Sequence, residues 1–143
     1  MKKKKGCIFC IAKKKETPDA DNRYILRKTT HSFSILNRYP YNNAHVMIAP
    51  YRHVGWLGAL SEEELLDLMK LLNYTKKKID RLLSPVGFNI GINVGKIAGA
   101  GFPGHVHIHV VPRWAGDTNF MPVTAETKVV SCSLKEMWNL LRK

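Results

Sequence analysis

The sequence predicts an α+β domain: a five-stranded antiparallel sheet with one long helix and a short C-terminal helix. Three observations lead there. Short runs of alternating apolar and polar residues, separated by turn signals, lie on both sides of a single long helical stretch. Only residues 61–83 sustain a 3.6-residue apolar period over many turns. The chain has 143 residues, enough for one domain with a core, and shows no internal repeat or second compositional region. The expected organisation is one domain over 1–143, with a basic tail at 1–6 and an extension carrying the short helix at 123–143.

Arg23–Lys28 and Ser32–Asn37 are β-rich runs around a Thr-Thr-His turn. His31 is expected to be a surface turn residue. Tyr39-Pro-Tyr-Asn-Asn43 is a turn signal, and Ala44–Ala49 is the third strand, closed by Pro50. Ser61 and Glu64 form a capping box, and Leu65, Leu68, Leu72, Ile79 and Leu82 mark the apolar face of the helix it opens. Ser84-Pro85 ends that helix. Phe88, Ile90, Ile92 and Val94 alternate with Asn89, Gly91 and Asn93 in a fourth strand. Residues 95–104 are a glycine-rich loop, with glycines at 95, 99, 101 and 104. A fifth strand over 105–111 stops at Pro112. Ser133 and Glu136 cap the final helix, which places Leu134, Met137, Trp138 and Leu141 on one side.

Composition narrows the function classes. No apolar run approaches the ~18 residues of a membrane span, and the apolar piece behind Met1–Lys5 is too short for a signal sequence; a cytoplasmic protein is expected. The formal net charge is +12, which raises nucleic-acid binding. Ten of the 23 basic residues, however, fall in the runs Lys2–Lys5, Lys13–Lys15 and Lys76–Lys78, the pattern of solvated faces and tails. Such runs can still concentrate a small polyanion. Three cysteines make no disulfide framework in a reducing compartment. Cys7 and Cys10 have the spacing that grips one tetrahedral metal if two more ligands arrive from elsewhere. A redox pair is the rival, without a βαβ context. Cys132 reads as a small, partly buried residue.

The chemistry concentrates in His105-Val-His-Ile-His-Val-Val111. On a strand, Val106, Ile108 and Val110 point into the core, and His105, His107 and His109 share the opposite face about 7 Å apart. Three imidazoles can hold a metal, or present one nucleophile with two supporters. The glycine loop before them can cradle an anion with backbone amides. A water-activating metal site more often includes a carboxylate, and residues 95–113 contain none. Phosphate chemistry, a catalytic metal site and a structural use all remain open on the residues alone.

His105–Val111 matches the His-φ-His-φ-His-φ-φ motif, with φ apolar, of the histidine triad (HIT) superfamily. The resemblance runs from about Cys7 to Pro122. Ser34–Arg38, Pro40, His45–Pro50 and Arg52 resemble the Fhit branch. Trp114-Ala-Gly-Asp-Thr-Asn-Phe-Met-Pro122 is similar to the dinucleoside tetraphosphate phosphorylase and hydrolase members. The resemblance implies the HIT α+β meander and a homodimer whose sheets join.

It also implies roles. His107 would attack the α-phosphorus of a dinucleoside polyphosphate such as diadenosine tetraphosphate and form a nucleotidyl-histidine, resolved by water or inorganic phosphate. His45 would help orient the nucleophilic ring. His109 would donate to a phosphate oxygen, with Asn93 and the amides around Gly101 and Gly104 nearby. Asn37 matches the ribose-binding position. Phe33, Ile35 and Leu36 are candidates for a base pocket, or plain core. Cys7, Cys10, His53 and His105 match the ligands of a closed structural zinc site, and no organic cofactor is implied. The Fhit branch has glutamine four residues before the first triad histidine, where Gly101 stands here; this shifts the expected substrate from triphosphates toward tetraphosphates or broader polyphosphates. A Hint-like adenosine phosphoramidase and a basic nucleotide- or RNA-binding module are the alternatives.

Overall fold

The computed structural model describes residues 6–11, 24–118 and 132–143. The Lys2–Lys5 and Lys13–Lys15 runs, Arg23 and residues 119–131 lie outside the described residues. In chain order the elements are α1 (Ile8–Ile11), β1 (Ile25–Lys28), β2 (Ser32–Leu36), β3 (Val46–Pro50), a 3-10 turn (Leu57–Ala59), α2 (Glu62–Leu83), β4 (Gly87–Gly91), β5 (Ile108–Arg113) and α3 (Leu134–Arg142).

The five strands form one antiparallel sheet in the order β1-β2-β3-β5-β4. The predicted α+β class is therefore observed, with one feature beyond a simple meander: β5 lies between β3 and β4. The chain leaves β3 through α2, returns at the sheet edge as β4, and only then fills the gap.

Strand alternation sorts the residues between two faces. Leu36, Val46, Ile48, Ile108 and Val110 pack with Leu68, Leu71, Leu72 and Ile79 of α2 and with Met137, Trp138 and Leu141 of α3. The other face carries a smaller cluster of Phe33, Ile35, Met47 and Ala49 with Cys7 and Phe9 of the α1 segment. Both predicted capping boxes are present, at Ser61/Glu64 and Ser133/Glu136. Ser84 ends α2 in a left-handed conformation (φ 45°). Trp138 donates its indole N–H to the Ile25 carbonyl at 2.9 Å, which ties α3 to β1.

Several strand limits differ from expectation. The fourth strand stops at Gly91 rather than Val94, because its partner β5 begins near His109 and leaves Ile92–Val94 no ladder. The fifth strand begins at Ile108 rather than His105 and continues through Pro112 to Arg113. Proline is tolerated because β3 pairs with β5 only as far as Val110. The Pro112 carbonyl on that side accepts the Asn42 side-chain N–H at 3.1 Å, so the missing proline N–H faces no strand. Pro50 is the last residue of β3, paired with Ser32, rather than its terminator.

Candidate active site and adjoining metal centre

His45 precedes β3, and His109 lies on β5 opposite Met47. Both share the face that bears Met47, and His107 follows by parity two residues before His109. The His107 and His109 rings lie 4.8 Å apart, edge to face, and those of His45 and His109 5.1 Å apart.

Hydrogen bonds assign the tautomers. The Tyr41 backbone N–H donates to His45 Nδ1 at 3.0 Å, and the Asn37 amide approaches the same nitrogen at 3.4 Å. His45 Nδ1 is therefore an acceptor, and its proton sits on Nε2. From there it donates to His109 Nδ1 at 2.8 Å. His109 must then carry its own proton on Nε2, as an outward donor. His107 Nδ1 lies 2.8 Å from the His105 carbonyl. A carbonyl only accepts, so Nδ1 holds the proton and Nε2 presents a lone pair. His45 was expected to orient the nucleophilic ring; its hydrogen bond runs to His109 instead, and the His105 carbonyl orients His107.

The three rings are held neutral. Burial, then the charges of His109 and His107, push His45 down to about 3. Burial, then His107, push His109 down to about 4. His107 is lowered by burial, against the opposing hydrogen bond to the His105 carbonyl. His45 and His107 are buried, and His109 is half-buried. At neutral pH the site thus offers one unprotonated ring nitrogen beside one ring N–H donor.

His105 faces a different group. Its Nε2–H donates to the Pro50 carbonyl at 2.9 Å, which leaves Nδ1 as an acceptor. That nitrogen lies 3.4 Å from Cys7 Sγ, 3.7 Å from Cys10 Sγ and 3.2 Å from His53 Nδ1. Cys10 Sγ is 3.1 Å from His53 Nδ1, and all four donor atoms fall within 4.8 Å of one another. A tetrahedral zinc with bonds of about 2.0–2.3 Å has ligand-to-ligand edges of roughly 3.3–3.8 Å. Two sulfurs, two imidazole nitrogens and a carbonyl fixing one tautomer are the donor chemistry such an ion takes. The residues fit a structural zinc.

Local structure explains why these ligands meet. Cys7 immediately precedes the single turn α1 and Cys10 lies within it, with the Cys10 N–H on the Cys7 carbonyl at 3.2 Å. His53 follows Arg52, whose guanidinium forms two 2.7 Å bonds to Glu64 at the start of α2. The Val106 N–H reaches the Val54 carbonyl at 2.7 Å. Gly55 and Gly104 make this approach feasible: a Cβ on Gly55 would sit 2.9 Å from the Pro103 carbonyl oxygen, and one on Gly104 3.2 Å from the His53 ring.

The other expected site residues divide. Asn37 lies beside His45, and its side-chain oxygen accepts the Tyr39 N–H at 3.0 Å. Asn93 reaches the Gly99 carbonyl at 3.5 Å and braces the glycine loop. Gly101 is exposed with open space where a Cβ would project, whereas Gly104 packs on His53. Phe33, Ile35 and Leu36 are buried in the two cores. Two aromatic residues complete the site without having been singled out in the sequence. Tyr41 meets His45 at a tilt and stacks on His109, with ring centroids 4.4 and 5.8 Å away. Phe9 lies 4.7 Å from the His107 ring. The only signal for Phe9 was a large apolar residue enclosed by two metal-type cysteines.

Comparison with known proteins agrees with this geometry. The HIT domain family matches residues 19–116. An AP-4-A phosphorylase from Mycobacterium tuberculosis is 40% identical over 76% of this chain and 56% of its own length. Adenosine 5'-monophosphoramidase hnt1 from Schizosaccharomyces pombe is 31% identical over 76% of this chain and 74% of its own. The crystal structure of Plasmodium falciparum diadenosine triphosphate hydrolase superposes with a TM-score of 0.68 at 26% identity, covering 84% of this chain and 74% of that one. The chain spans little more than half the length of the phosphorylase it matches. With its sheet order, paired helices and histidine constellation, the chain belongs to the HIT domain family.

Proposed function

We propose that this protein cleaves dinucleoside polyphosphates, diadenosine tetraphosphate among them, through a covalent nucleotidyl-histidine on His107. The observation that carries this reading is the tautomer pattern. His107 is fixed with Nδ1–H on the His105 carbonyl and Nε2 unprotonated, while His45 fixes His109 as an Nε2–H donor beside it. The His107 Nε2 lone pair attacks the α-phosphorus, an N–P bond forms and the P–O bond to the nucleoside polyphosphate breaks. His109 donates to a non-bridging oxygen as charge develops. Water or inorganic phosphate then attacks the same phosphorus, restores the His107 lone pair and releases the nucleotide. The similarity to the M. tuberculosis phosphorylase supports this substrate class.

Incubation with diadenosine tetraphosphate, with and without inorganic phosphate, tests the reading. AMP plus ATP marks hydrolysis, and ADP plus ATP phosphorolysis. His107→Ala should abolish turnover while nucleotide binding persists; normal turnover in that variant overturns the mechanism. The similarity to hnt1 favours a second reading, hydrolysis of an adenosine phosphoramidate at the same histidine. Comparing kcat/KM on the two substrates separates them.

Cys7, Cys10, His53 and His105 would hold one structural zinc per chain, supplying cross-links rather than chemistry on substrate. Metal analysis of purified protein checks the stoichiometry. The cytoplasm, where these thiols stay reduced, is the compartment that suits the site. A second copy of the chain is the expected partner. β4 is a sheet edge that exposes Ile90 and its backbone, so two such edges can pair into one continuous sheet. Sedimentation equilibrium of the wild type and of Ile90→Pro tests that arrangement: a dimer that becomes a monomer is expected.

A further inference from the structure

We propose that Phe9 is a positioning residue for His107, carried on the metal-binding turn so that one tetrapeptide builds the metal centre and aims the nucleophile. This inference rests on the role of His107 proposed above. Among the described residues, His107 has one hydrogen bond to fix its ring, from Nδ1–H to the His105 carbonyl. A single bond along one edge leaves an imidazole able to roll about that bond. The Phe9 ring restricts the roll: it lies 4.7 Å from His107 at an interplanar angle of 32°, while His109 closes another side edge-on.

Phe9 is itself immobilised. It is fully buried, with Phe33 6.3 Å away, Phe102 meeting it edge-on at 5.8 Å and the His105 ring at 5.1 Å. Its place follows from helical geometry. Cys7, just before the single turn α1, and Cys10 within it stand three positions apart and reach His105 and His53. Phe9, at about 160° from Cys7 and 100° from Cys10 around the helix axis, is turned toward the sheet. Both restraints on His107 thus originate in the ligand set: the carbonyl belongs to His105, and the aromatic face sits between the two cysteines. A neutral ring in one defined orientation is what an in-line attack on phosphorus needs, and misplacement of about 1 Å costs on the order of 100-fold in rate.

The alternative is that Phe9 only fills space. Phe33 is the matched control, because it is equally buried and packs with Phe9 but, among the described residues, has no ring contact with His107. On diadenosine tetraphosphate, Phe9→Leu should lower kcat and the single-turnover rate of adduct formation about 10-fold or more, with KM changed by less than about 3-fold. Phe33→Leu should lower thermal stability with kcat within about 3-fold of wild type. Nitrogen-15 NMR of the histidine rings gives a reading independent of turnover. Wild-type His107 should show a single Nδ1–H tautomer, and Phe9→Leu a tautomer mixture or broadened signals. Chelation of the wild-type metal should produce the same spectral change. Equal kcat losses in the two variants, or an unchanged His107 spectrum in Phe9→Leu, overturns the proposal. Should Phe9→Leu fail to fold, Phe9→Met keeps the volume without the aromatic face and is read in the same way. Full turnover in His107→Ala refutes the proposed function instead, while the spectra still report on Phe9.

Discussion

Ala44 adopts a left-handed conformation (φ 56°) one residue before His45, a region that favours glycine because a Cβ crowds the backbone there. The bend returns the chain so that the His45 N–H reaches the Asn42 carbonyl at 3.3 Å and Tyr41 can donate to His45 Nδ1. Ala44→Gly should therefore keep stability within about 1 kcal/mol of wild type. Ala44→Val, buried and β-branched at positive φ, should cost about 2 kcal/mol or more; denaturant unfolding distinguishes the two. The histidines themselves were legible in the sequence because period-two alternation survives even where the strand does not: His105 and His107 precede β5 yet keep their faces. The partner of His45 was not legible. Which of two neighbouring imidazoles it bonds depends on the backbone amide of Tyr41, which carries no side-chain signature. Phe9 was hidden for a related reason, since an apolar residue in a four-residue helix announces burial and not the ring it will touch.

At the scale of elements, α2 is anchored at its first turn by a shared carboxylate. Glu64 accepts the Ser61 N–H at 2.8 Å as half of the capping box and also receives the Arg52 guanidinium in bidentate form. Hydrogen bonding from Arg52 and then from the Ser61 backbone holds its carboxyl down at about 2. Because Arg52 adjoins His53, the same contact stations a candidate metal ligand. Glu64→Ala should cost about 1–2 kcal/mol through the cap and weaken metal retention, whereas Glu64→Gln should retain the cap and lose the charge pair. Urea titrations with a competing chelator measure both effects. Capping boxes and the helical period are local patterns, so both helices were readable with their caps. The 3-10 turn at Leu57–Ala59 and the early end of β4 were not, because each depends on what its neighbour does. A strand lasts only as long as its partner, and the stretch before β5 is drawn off the ladder where the Val106 N–H bonds the Val54 carbonyl.

For the whole molecule, two pH-sensitive histidines share a sheet face with the candidate metal ligands. The folded state depresses His45 to about 3 and His109 to about 4, so it favours their neutral forms. The unfolded chain takes up these protons below about 6.5, so stability is complete above that pH and declines as pH falls toward 4 and then 3. Glu64 adds a later loss, from about 4.5 down to about 2, by the same sign. Thermal melts across pH 3–8 should show the decline beginning near 6.5, and Glu64→Gln should remove only its lowest part. Metal removal at pH 7.5 should lower the melting midpoint on the order of 10 °C, an effect absent from Cys7→Ser. The insertion of β5 between β3 and β4 was beyond reach of the sequence, since strand order is settled by α2 crossing the sheet and not by any one strand. The alternation along β2, β3 and β5 has a practical consequence. Residues of one parity meet the long helix α2 and the short helix α3, and those of the other meet the histidines and cysteines. Heritable variation can consequently be partitioned: substitutions at Leu36, Val46, Ile48 and Val110 bear on the helix-facing core, while His109, of the other parity, bears on the proposed site, so selection for durability and selection for a changed site can draw on separate sets of codons.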